Sequence, residues 1–250
     1  MTDILRKAAV LVAAVAAPAL SYGLFAGTER PFEPAPGGPT AAEPAGYAFA
    51  IWGPIFLLAV LTGLYQLRPA RGDEGLFRQI GWALAVGYGA TALWLVFARF
   101  GPLWATAPTI AAILVAIGWS LVQAARAPEP TRARRWLVLP GLGLFAGWVT
   151  AATYVNIAEV LPRYGFDRFG LGPTPFAVVV VAAATLSAAL FLERTRGNLV
   201  YAAAVAWALA AVIVANQERG FGPLVQTAAG VGLAVLAGVV LWARRREARS

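Results

Sequence analysis

The chain has no cysteine and no histidine, and its one methionine is Met1. Without cysteine there is no disulfide framework, no thiolate nucleophile and no thiolate metal site. Without histidine the commonest general base, metal ligand and haem ligand is gone. Charge is scarce too: only 13% of the 250 residues are Asp, Glu, Lys or Arg, while 60% are apolar. Soluble domains carry about 25% charged residues, so a water-soluble fold of this length could not cover itself. Eight spans of about 20 residues would occupy about 160 positions, which leaves room only for connections. The fold class expected is all-α, a polytopic membrane helical bundle of about eight transmembrane helices.

What is present fits that frame. Long apolar runs fall at about Ala8–Phe25, Tyr47–Gln66, Ile80–Ala98, Trp104–Ala124, Trp136–Leu161, Pro175–Leu192, Leu199–Asn216 and Pro223–Trp242. Each connection carries Pro, Gly or charge; the longest is Ala26–Gly46, with Pro31, Pro34, Pro36, Pro39 and Pro44. Placing the N-terminus in the cytoplasm puts Arg30, Arg99, Arg163, Arg168 and Arg219 outside and the remaining 15 of the 20 basic residues inside. Insertion machinery reads that asymmetry. An error in the number of spans would scramble it, so both termini are expected in the cytoplasm. The net charge of +8 is then explained by topology signals and headgroup contacts, and no nucleic-acid partner is expected. A second reading of the start is a cleaved signal peptide built on Arg6, Lys7 and the small residues Ala14–Ala19. The apolar run continuing to Phe25 favours an uncleaved first span.

A short repeat recurs about 120 residues apart: Phe100-Gly101-Pro102-Leu103 before the fourth span and Phe221-Gly222-Pro223-Leu224 before the eighth. It reads either as a four-plus-four duplication of the kind transporters use, or as Gly-Pro serving twice as a helix start. The second reading is favoured.

Ionisable groups inside a membrane mark ion or proton paths, and here they are nearly absent. Glu159 lies 11 residues beyond Trp148, about 16 Å along the helix, which places it at the outer interface near Arg163. Trp82, Trp104, Trp136 and Trp242 sit at span ends, where indole belongs in the headgroup belt. Trp52, Trp94, Trp148 and Trp207 lie deeper, Trp119 between. On the fifth span Trp148, Ala152, Asn156 and Glu159 share an arc of about 80°. Gly143, Gly147 and Ala151 form a separate small-residue stripe suited to a close helix neighbour. No catalytic constellation is present, and the protein is not expected to be an enzyme.

Trp148-Val149-Thr150-Ala151-Ala152-Thr153-Tyr154-Val155-Asn156 resembles the fifth-helix motif W-x-x-x-A-x-x-x-N of the TspO/translocator-protein (TspO/MBR) family. Thr91-Ala92-Leu93-Trp94-Leu95-Val96-Phe97 is similar to its third-helix motif, with Thr91 where the family has Asn. Glu43-Pro44-Ala45-Gly46-Tyr47-Ala48-Phe49-Ala50-Ile51-Trp52-Gly53 resembles the second-helix start of the longer bacterial members known as tryptophan-rich sensory proteins. Here Phe and Trp are three residues apart rather than four, and the family's W-Y-x-x-L-x-K-P first-loop pattern is missing. The likeness covers about residues 1–160. It implies a five-helix TspO-like body over 1–161 and an additional three-helix membrane segment over 162–250.

The resemblance also implies an intramembrane pocket for a flat lipophile, a porphyrin or other tetrapyrrole or a sterol-like molecule, with a sensory or regulatory role. Carried over by position, Phe49, Trp52, Trp94, Trp148, Ala152 and Asn156 are its ligand-binding residues. No catalytic or metal-binding residue follows, and no cofactor is required. A bound porphyrin would be non-covalent, and a metal-free one is favoured, since the usual axial ligands to iron are missing. A small-solute transporter or exporter, and a structural subunit of a membrane complex, are the alternatives; substrate flux in proteoliposomes and stoichiometric co-purification would mark them. Expected partners are the lipid bilayer, a lipophilic small molecule, and a homodimer or larger membrane complex. Abundant Arg and Ala with scarce Lys suggest a bacterial inner membrane.

Overall fold

The computed structural model describes residues 2–25, 40–68, 72–128, 131–166 and 168–248. These are mostly helical, with no strand among them. The helices are α1 (Thr2–Phe25), α2 (Trp52–Tyr65), α3 (Glu74–Phe100), α4 (Thr106–Arg126), α5 (Leu139–Arg163), α6 (Pro173–Arg194), α7 (Leu199–Arg219) and α8 (Pro223–Glu247). A 3-10 turn, Gly46–Ile51, leads into α2, and a π turn, Arg134–Val138, leads into α5. With these turns counted, eight helical segments are long and apolar enough to cross a membrane. The all-α membrane architecture therefore holds. Helix is the form such sequences must take in lipid, because only internal hydrogen bonds can satisfy the backbone there.

The ends are set locally. Pro173 and Pro223 open α6 and α8, where the missing N–H has no helical partner to lose. Asn198 caps α7, its side-chain oxygen accepting from the Tyr201 N–H at 2.9 Å. Gly220 closes the same helix in the left-handed conformation, φ 67°.

The chain forms two compact units. Among the described residues, 2–25 and 51–146 make one, and 40–50 with 147–248 make the other, so α5 passes from the first to the second between Ala146 and Gly147. In the first unit α3 is central, with α1 and α4 packed on it and α2 against α1. Small residues permit the approach: a Cβ on Gly87 would stand 2.5 Å from Ile117 Cδ1, and one on Gly63 would stand 3.3 Å from Leu11 Cδ1. In the second unit α8 packs on α6 and α7. Gly232 of α8 fits between Thr185 Oγ1 and Leu209 Cδ1. Lipid is as apolar as these side chains, so close packing rather than expulsion from water holds such helices together. Three buried hydroxyls are satisfied within their own helices, Thr91 by Gly87 O, Ser120 by Ala116 O and Thr185 by Val181 O.

Candidate functional site

Residues 40–50 are a strap laid on α7. Its fastenings are mostly backbone. The Ala45 N–H donates to Ala211 O at 3.0 Å. Asn216 Nδ2 donates to Ala41 O at 2.7 Å and to Val212 O of its own helix at 2.8 Å. Trp207 Nε1 donates to Ala48 O at 3.1 Å, and its ring meets Tyr47 edge-on with centroids 5.3 Å apart. Arg219 reaches Glu43 twice, through the backbone oxygen at 3.2 Å and the carboxylate at 3.5 Å. Asn216 is 1% exposed, so its bonds are sheltered and firm, whereas the partly exposed Arg219–Glu43 pair adds little.

The strap ends by placing Phe49 over α5. Phe49 stands edge-on to Trp148, ring centroids 5.6 Å apart, and Trp148 is 2% exposed. Two places along α5, Thr150 Oγ1 and Tyr201 Oη lie 2.9 Å apart, which fixes α5 against α7. Gly147 is what lets them meet: a Cβ there would stand 2.5 Å from Tyr201 O and 2.7 Å from Ala204 Cβ. Ala152 and Asn156, one and two turns beyond Trp148, are half-buried. Tyr154 Oη shares a hydrogen bond with Ser187 Oγ of α6. Glu159 is also half-buried, one turn before Arg163.

Of the six residues carried over from the family, then, Phe49, Trp148, Ala152 and Asn156 belong to the second unit, and the ring pair Phe49–Trp148 is in direct contact. Trp52 and Trp94 belong to the first. Trp52 stacks on Phe56 at 5.3 Å and meets Phe145 edge-on at 5.8 Å; Phe145 in turn lies parallel to Tyr88 at 6.1 Å. Phe56, Tyr88, Phe145 and Thr91 border a void of about 10 Å³, room for about one water. Thr91, where an amide was expected, spends its hydroxyl on Gly87 O at 2.8 Å. Trp94 is 9% exposed on α3.

The chain matches the family model described as TSPO-like protein over residues 5–242. It belongs to the TSPO-like protein family. The match begins within the first turn of α1 and runs on past α5 through α6 and α7 and most of α8, so each of the eight helices of this TSPO-like chain lies wholly or mostly within it. No curated protein and no solved structure matches the chain.

Sequence reasoning missed Trp207, Asn216 and Arg219, the α7 side chains that fasten the strap. Trp207 was read only as a deep indole, and nothing in its neighbours pointed to a distant carbonyl. The motif Glu43–Phe49 did stand out; its fastening partners did not.

Proposed function

We propose that this TSPO-like membrane protein binds a flat apolar small molecule, of porphyrin or sterol character, beside Trp148, and that it works as a sensor or regulator rather than a catalyst. The observation that carries the reading is the ring of Phe49 resting on Trp148 at the end of a strap fastened to α7. A broad indole face suits stacking on a flat ligand. Ala152, one turn on, keeps the same helix face small, and Asn156 carries an amide. A few placed polar groups in an apolar site are the usual form of small-molecule recognition.

Trp148 is covered as it stands, so the ligand enters by displacing Phe49. That movement pulls on residues 40–48 and hence on their bonds to α7, which converts occupancy into a change at a second helix. Ligand shifts such an equilibrium only by its preference for the open strap. The chain offers no histidine, cysteine or internal methionine to iron, which favours a metal-free macrocycle. The membrane is taken to be a bacterial inner membrane, with both termini in the cytoplasm.

Titration of the purified protein with protoporphyrin, followed by tryptophan fluorescence, tests this. Quenching should be largely lost in Trp148→Ala and kept in Trp242→Ala, an exposed indole near the end of α8. Equal behaviour of the two variants would remove the site from Trp148. Trp52→Ala and Trp94→Ala report separately on the remaining carried-over residues.

A further inference from the structure

The first unit holds a second concavity with no part in the reading above. It is a cavity of about 270 Å³ where the start of α1 meets the α2–α3 connection. Its wall contains three side chains that are buried although they are polar: Arg6 is 4% exposed, Gln66 4% and Asp73 2%. Arg6 makes three bonds. It donates to Gln66 Oε1 at 3.0 Å, to Phe77 O at 2.8 Å and to Asp3 Oδ1 at 2.6 Å. Gly81 makes room for it, since a Cβ there would stand 2.4 Å from Arg6 Nη1. Lys7 is held by Asp3 as well, at 3.3 Å.

Gln66 and Asp73 are only half employed. With Gln66 Oε1 taken by Arg6, Gln66 Nε2 is a buried donor with no acceptor among the described residues. Asp73 Oδ2 accepts from Tyr65 Oη at 3.1 Å and from Thr131 Oγ1, while Asp73 Oδ1 accepts from nothing among the described residues. Asp73 occupies the N-cap of α3, where a carboxylate normally turns back to cap the helix, yet its side chain makes no capping bond. Among the described residues no cation pairs with Asp73, and no carboxylate pairs with the exposed wall residues Arg68 and Arg78. Leaving a buried donor and a buried carboxylate oxygen unfilled is expensive. Glu74, also on the wall, adds a second negative charge near Asp73.

We propose that this cavity binds an amine-bearing phosphate whose entry turns the Gln66 and Asp73 side chains, their unfilled atoms now covered, toward it, with a primary ammonium on Asp73 Oδ1 and the phosphate taken by Gln66 Nε2, Arg68 and Arg78. The ammonium must carry N–H groups, because Asp73 Oδ1 needs a donor. The volume suits a headgroup-sized molecule. Phosphoethanolamine has this chemistry, free or as the headgroup of phosphatidylethanolamine.

Calorimetric titration of the full-length protein in detergent with phosphoethanolamine and with phosphocholine tests the site. Phosphoethanolamine should bind more tightly by about tenfold or more, the worth of one charge-assisted hydrogen bond, because a trimethylammonium has no N–H to give. Asp73→Asn should erase that preference, and Arg78→Gln, at an exposed position, should weaken both compounds alike. Equal binding of the two compounds to the wild type, or heat from neither, overturns the proposal without any variant having to fold. Repeating the titration in nanodiscs identifies the source. If phosphatidylethanolamine suppresses phosphoethanolamine binding relative to phosphatidylcholine, the lipid is the occupant; if binding is the same in both lipids, the occupant is the soluble compound.

Discussion

Gly147 shows how much a single missing side chain can decide. The backbone of α7 approaches so near that Tyr201 O and Ala204 Cβ occupy the space a Cβ would need. Gly147→Ala should therefore destabilise the protein by about 1–3 kcal/mol, the usual result of forcing atoms into a filled interior. Gly230→Ala is the control, since nothing lies within 4 Å of a Cβ there; it should be neutral or stabilising by about 0.5–1 kcal/mol through helix propensity. Thermal denaturation in one detergent measures both. The stripe Gly143–Gly147–Ala151 announced this close approach in the sequence, because small residues at helical spacing have few other uses. Arg6 gave no such notice. A cation near the N-terminus reads as a topology signal, and its burial against Gln66 and Phe77 depends on partners 60 and 71 residues away.

Among the elements, the strap is where structure exceeds what pattern could tell. Hydropathy located α1 to α8 because each must present an apolar surface over its whole length. A strap needs no such pattern: its bonds use the Ala41 and Ala48 carbonyls and the Ala45 amide, and every residue type has those groups. Asn216 is its firmest side-chain anchor. Asn216→Ala should weaken the strap by about 1–2 kcal/mol, so hydrogen exchange at the Ala45 amide should quicken by about 5–30-fold. Amides in the middle of α3, in the other unit, should be unchanged. If Ala45 exchanges at the wild-type rate, the strap is held by something other than Asn216.

For the whole molecule the distribution of arginine makes the boldest claim, that both ends of the chain face the cytoplasm. A chain without native cysteine can report on this directly. Single cysteines replacing Phe166, in the α5–α6 connection, and Pro128, in the α4–α5 connection, should react oppositely with an impermeant maleimide added to intact cells. Phe166→Cys should label and Pro128→Cys should not; the reverse pattern would invert the topology, and equal labelling would break the eight-span threading. The family match over 5–242 extends beyond the five helices whose motifs were recognisable. The last three helices carry no family signature that could be picked out by eye, being Ala- and Val-rich surfaces whose identity lies in the full-length pattern.

The strap also sets an order of events during biosynthesis. Its side-chain partners on α7 lie 159 to 176 residues further along the chain. A ribosome must therefore translate most of the message before residues 40–50 can settle on α7. Nascent chains arrested ahead of Leu199 should leave residues 40–50 open to an added protease, and chains arrested once Arg219 has cleared the translocon should shield them.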